Sequence, residues 1–176
     1  MHVPTVAWQP NGFRRRSPKR GHVLLTTVYF LHVLFGFAAA AFLVVPGWTL
    51  EMIAHTRDVP FIRRSYRMGK IHGQIGGPLA FLTAIFGLIT AWRYGFSLTS
   101  GWLIAAYIAF VLVIALGIGY HTRRVNRIDA LAQASPDAAP SPELTAAIDD
   151  PLSTPANWTS ALLWIFLIWL MVAKPF

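Results

Sequence analysis

The sequence predicts an all-α integral membrane protein, a bundle of four membrane-spanning helices. Three observations lead there. Residues 21–50, 71–92, 94–122 and 151–173 contain no Asp, Glu, Lys or Arg, in runs of 30, 22, 29 and 23 residues. Charged residues make up 12% of the 176-residue chain and apolar ones 55%, whereas a soluble domain carries about 25% charged residues. The runs are continuous rather than alternating, and in hydrocarbon only helices and closed barrels satisfy their own backbone, so helices are the expected form. This composition excludes a soluble globular enzyme and a disordered chain, and the absence of Cys excludes a disulfide scaffold. The net charge of +8 does not point to nucleic acid, because the basic residues flank the apolar runs, where a membrane surface accounts for them.

Residues 1–22 read as a basic flexible tail, with Pro4, Pro10 and Pro18 and the cluster Arg14-Arg15-Arg16, Lys19 and Arg20. The transmembrane domain occupies 23–176. A hydrocarbon core about 30 Å thick takes roughly 20 helical residues, which places the first helix near 23–46. A cleavable leader ending at Ala38-Ala39-Ala40-Ala41 competes with this reading, but the apolar run continues past the alanines, so a retained helix is expected. Residues 47–70 read as a polar loop holding Arg57, Arg63, Arg64, Arg67 and Lys70. The second and third helices, near 71–92 and 101–121, are joined by a short link and form an antiparallel hairpin. Residues 122–156 read as a mobile polar loop, basic at Arg123, Arg124 and Arg127 and then rich in Pro and Ala. Within it, Ser141-Pro142-Glu143 has the residues of a helix start. The last helix lies near 157–173.

Trp48, Trp92, Tyr94, Trp102, Tyr120 and Trp158 fall at the expected helix ends, where amphipathic rings suit the headgroup layer. Orientation is undecided by charge. The side holding both termini carries seven Lys/Arg and the other side eight, a difference too small for the positive-inside rule.

Helices in lipid associate where small residues let backbones approach. Gly69, Gly73 and Gly77 follow one another at four-residue spacing on the second helix. Gly36 with Ala40 repeats the spacing on the first helix, and Gly101 with Ala105 on the third. The expectation is a tight helix–helix seam, within this chain or against another membrane subunit.

Three histidines carry the remaining chemistry. His32 lies about 12 Å into the first helix at 1.5 Å per residue, on the face of Gly36 and Ala40, and ionisable groups at that depth default to a functional reading. The bland alternative is a neutral ring hydrogen-bonded to a backbone carbonyl or a hydroxyl such as Thr83 or Thr90. His72 and His121 fall at one membrane side of the second and third helices, where paired imidazoles suit haem b iron. Arg67, Lys70, Arg123 and Arg124 are then candidates for its propionates, or for anionic lipid headgroups. His32 lies too far along its helix to share an iron with the other two. No H-x-x-x-H pair or Cys is present for a protein-held metal site, and there is no Walker-type phosphate loop or nucleophile–base set, so no catalytic residue is assigned.

Several short segments carry a family resemblance over residues 24–175. They are Phe30-Leu31-His32-Val33-Leu34, Gly76-Gly77-Pro78, Ser100-Gly101-Trp102-Leu103, Arg123-Arg124 and the ending Leu170-Met171-Val172-Ala173-Lys174-Pro175. Together they resemble a group of bacterial predicted integral membrane proteins in the copper-resistance-D-like four-helix superfamily. The likeness implies a four-helix bundle in the inner membrane. In a related branch, the J-type haem-dependent protoporphyrinogen oxidases, a haem-linked His occupies the position that His32 matches. That branch also uses a membrane Lys, whereas Lys19, Lys70 and Lys174 lie outside the helices expected here. His72-Gly73-Gln74 is similar to cytochrome b561-type bundles, which need histidines on four helices, and the last helix here has none. The expected role is a non-enzymatic accessory or assembly subunit of a membrane complex. The alternatives are a b-type haem protein in electron transfer or redox chemistry, and a small transporter or channel after oligomerisation.

Overall fold

The computed structural model describes residues 18–175, with side chains from Val23 onward, so most of the expected basic tail lies outside the described residues. The chain is all-α, as expected. It forms α1 (Pro18–His55), α2 (Val59–Arg93), α3 (Gly101–Leu116), a π-helical segment (Gly117–Thr122), α4 (Arg123–Ala134), α5 (Pro142–Ile148) and α6 (Ser153–Ala173). Four helical segments, Val23–His55, Val59–Arg93, Gly101–Ala134 and Pro142–Ala173, are long and apolar enough to cross a membrane.

The expected loop 47–70 is helical. α1 continues through Pro46 to His55 and α2 starts at Val59, leaving only Thr56–Asp58 as the turn. Charged residues end an apolar run without ending a helix, and Arg, Lys and Met are good helix formers. The start of α2 has its own signal, since Asp58 Oδ1 accepts from the Phe61 N–H at 3.0 Å and Pro60 occupies the first turn. Arg57 takes a left-handed backbone (φ 58°) to make the turn, and its guanidinium grips both Asp149 oxygens at 3.0 Å.

The expected loop 122–156 is also largely helical. α3 widens into the π segment, where Thr122 Oγ1 donates to the Gly117 carbonyl at 2.9 Å, and runs on into α4. Ser141 caps α5 by accepting from Leu144 N–H at 3.2 Å. These short helices are amphipathic. Ile128 and Ala132 of α4 and Leu144, Ala147 and Ile148 of α5 pack against Ile62 and Tyr66 of α2. The result is a cap at one end of the bundle, built from the end of α1, the start of α2, α4 and α5.

Within the span, α1 packs chiefly on α2 and α3 on α6, so the short link between α2 and α3 joins two helix pairs instead of closing a tightly packed α2–α3 hairpin. Small residues set the α1–α2 distance. A Cβ on Gly69 would stand 2.6 Å from Leu50 Cδ1, and one on Gly76 would stand 2.6 Å from Leu43 Cδ2. Gly36 approaches Thr83 on the same seam, and Ala40 packs beside buried Ala39 and Ala80. In α3 the buried small residues are Ala106 and Ala109. Ala105 packs at the edge of that core, and Gly101 is exposed. Gly73 and Gly77 differ from Gly69, because a Cβ on either would meet open space. The outer face is largely apolar, with Phe37, Val45, Ile108, Val111, Leu162 and Ile165 all exposed, as suits lipid-facing residues.

Candidate functional site

The densest polar cluster lies where the cap meets the span. Glu51 comes from α1, Tyr66 from α2, Arg124 from α4 and Ser153 from the start of α6. Arg124 Nη2 lies 3.1 Å from Glu51 Oε2, with side-chain exposures of 11% and 10%. Ser153 Oγ donates to Glu51 Oε1 at 2.8 Å, and the His55 ring approaches the same oxygen at 3.2 Å. Arg124 also reaches the Tyr66 hydroxyl at 3.4 Å and the Ile148 carbonyl at 3.2 Å. Tyr66, fully buried, donates its hydroxyl to the Leu50 carbonyl at 3.2 Å. The buried ion pair is thus supported by hydroxyls and carbonyls on four helices, which is what lets two charges persist away from water. One donor, Arg124 Nε, is buried with no protein partner. Beside the pair lies a cavity of about 20 Å³ lined by Gly47, Tyr120, His121 and Asn157 among others, a volume on the scale of one water molecule.

The expected site residues divide among several places. His121 faces α6, with Nε2 2.8 Å from Ser160 Oγ. His72 lies against Phe42 of α1, with ring centroids 5.6 Å apart, and its buried Nδ1 has no hydrogen-bond partner among the described residues. The two rings therefore engage different helices. His32 Nδ1 lies 2.8 Å from the Thr83 carbonyl, and Gly87 makes room for it, since a Cβ there would stand 2.8 Å from the ring's Cε1. A proton on Nδ1 that donates to this carbonyl leaves Nε2 as the free lone pair, the arrangement by which proteins orient metal-binding histidines. Among the described residues, no three His, Cys, Asp or Glu converge as a metal site.

Of the basic candidates, Lys70 Nζ is held by Asp129 at 2.8 Å and Arg124 by Glu51. Arg67 and Arg123 are exposed. Sequence reasoning missed Glu51, assigned to a loop and left without a role. The only local hint was its place one residue past an apolar run, and its partners Arg124 and Ser153 are 73 and 102 positions away.

A comparison with family models matches residues 26–175 to a family described as "Predicted integral membrane protein (DUF2269)". No curated protein and no solved structure matches the chain.

Proposed function

The chain belongs to that family of predicted integral membrane proteins, and from that premise we propose that it serves a bacterial inner membrane as a non-enzymatic accessory or assembly subunit. The copper-resistance-D-like likeness supports the placement. The observation that carries the role is the division of the α2 glycines. Gly69, Gly76 and Gly87 are consumed by contact with α1, while Gly73 and Gly77 stand one turn apart with open space above them. Gln74 beside them is exposed on the same helix, and a primary amide facing hydrocarbon is stabilised by a hydrogen bond from a neighbouring helix. This face suits another membrane helix at close range.

The test separates association from folding. A Cβ at Gly73 or Gly77 meets no described atom within 4 Å, so Gly73→Leu and Gly77→Leu are each expected to accumulate and melt like the parent. Recovery of the partner subunit by mild-detergent affinity purification falls at least several-fold. Unchanged recovery with both variants contradicts the role.

A second reading is favoured by one specific observation, the orientation of His32. A b-type haem fits an imidazole whose Nδ1 is already committed to the Thr83 carbonyl, and such a group would supply one-electron chemistry. The residues here would hold the ring in one tautomer and shield it between α1 and α2. A reduced-minus-oxidised spectrum of protein from haem-replete cells, lost in His32→Ala, supports this reading, and a colourless parent protein ends it.

A further inference from the structure

A groove of about 420 Å³ opens between the π segment, α4 and the α5–α6 turn, lined by Arg123, Arg124, Arg127, Tyr120 and Gly119. We propose that this groove is a binding site for the phosphate diester headgroup of an anionic phospholipid.

Charge provides the first argument. Most carboxylates of the cap are already engaged. Glu51, Asp129, Asp137 and Asp149 pair with Arg124, Lys70, Arg63 and Arg57, and Asp58 caps α2. Arg123 and Arg127, one helical turn apart on α4, are exposed and form none of the ion pairs found among the described residues. The one acid lining the groove, Asp150, accepts from the Tyr120 hydroxyl at 2.9 Å and the Leu152 N–H at 3.0 Å. Arg123 and Arg127 therefore line the groove without ion-pair partners among the described residues, beside Arg124, which Glu51 holds, and a single carboxylate whose oxygens accept from Tyr120 and Leu152. Guanidinium forks suit phosphate oxygens, and two at i, i+4 can hold one phosphate between them.

Depth provides the second. Tyr120 also lines the small inner cavity with Gly47 and Asn157. Next to those two residues stand Trp48 and Trp158, whose rings meet edge-to-face at 5.0 Å. Trp pairs of this kind mark the headgroup layer, so the groove opens at the height of lipid phosphates rather than in bulk water. Toward the span, the positions that Cβ atoms of Gly117 and Gly119 would take are open, and Ile118 between them is an exposed apolar residue. Ile118 thus adds exposed apolar surface for an acyl chain on the span side of the arginines.

The experiment uses the full chain in a non-ionic detergent and follows thermal unfolding during titration with phosphatidylglycerol, phosphatidylcholine or inorganic phosphate. Phosphatidylglycerol is expected to raise the midpoint saturably, while phosphatidylcholine and inorganic phosphate leave it in place. For the R123Q/R127Q double variant the half-saturating concentration rises roughly ten- to thirty-fold, from about 1 kcal/mol for each arginine near a charged headgroup. The R64Q/R93Q control removes two exposed arginines of α2 outside the groove and retains the parent response. Equal weakening in that control makes the effect one of general surface charge and overturns the proposal. So does an equal shift by phosphatidylcholine. A saturable shift by inorganic phosphate overturns the lipid assignment in favour of a soluble anion. None of these outcomes depends on partner recovery, so the lipid site and the subunit role stand or fall separately.

Discussion

The cap and the span of this molecule are held together by opposite means. In the cap, Val59, Ile62, Tyr66, Ile128, Leu144 and Ile148 are fully buried, and ion pairs tie together segments far apart in sequence. It is packed as a soluble core is packed. In the span, the interior is thin: the α1–α2 seam is made of small residues, a few large side chains such as Trp102, Trp164 and Leu170 are buried around α3 and α6, and most other large apolar side chains point outward. Threonine hydroxyls there are satisfied close to home, since Thr27, Thr83 and Thr90 each donate to the carbonyl four residues back. The difference follows from the solvent. Water drives the burial of large side chains, while lipid does not, so helices in it rely on close backbone approach and satisfied polar groups.

The comparison can be broken most severely at the ion pair. Arg124→Ala leaves the Glu51 carboxylate buried and uncompensated, and Glu51→Ala does the same to Arg124. Each is expected to destabilise by about 3–5 kcal/mol, seen as a large fall in the unfolding midpoint in detergent. Leu144→Ala, which removes a fully buried side chain from the cap core, is expected to destabilise by about 2–5 kcal/mol. In the span the sensitive change has the opposite sense, adding atoms rather than removing them. Gly76→Ala places a methyl against Leu43 and Phe42 and destabilises by about 1–3 kcal/mol, measured in the same assay beside a neutral Gly73→Ala. The smallest effect belongs to Arg57→Ala. Its pair with Asp149 has side-chain exposures of 43% and 45%, so the loss stays below about 1 kcal/mol.

The same contrast explains what could be read in advance. The span was legible because each run is apolar enough to declare itself without its neighbours. Its boundaries were set too short because charge was taken to end helices that it only carries out of hydrocarbon. The cap was mostly hidden. Ser141-Pro142 and Asp58-Val59-Pro60 have helix-start chemistry, and Val125, Ile128 and Ala132 keep a helical period, yet none of these says which surface they bury against. The site was the least legible part. Glu51 and Arg124 become one unit only through the fold, and the likeness of Gly69, Gly73 and Gly77 in sequence conceals that they face different surroundings. The link from His32 to Thr83 was within reach, since one helix offered an imidazole at mid-depth and its neighbour a threonine at matching depth.

This architecture puts the cap and the α2–α3 turn on opposite sides of a bilayer, with the lipid-facing span between them. The chain has no cysteine, so single cysteines can be placed at three exposed positions, Ala138 in the cap, Ser97 in the turn and Val111 on the outer face of α3. Labelling in sealed, oriented membrane vesicles with a membrane-impermeant maleimide then reads out the arrangement. Ala138→Cys and Ser97→Cys should react from opposite sides, and Val111→Cys from neither until detergent is added. Reaction of both ends from one side, or of Val111→Cys in intact vesicles, would contradict the arrangement.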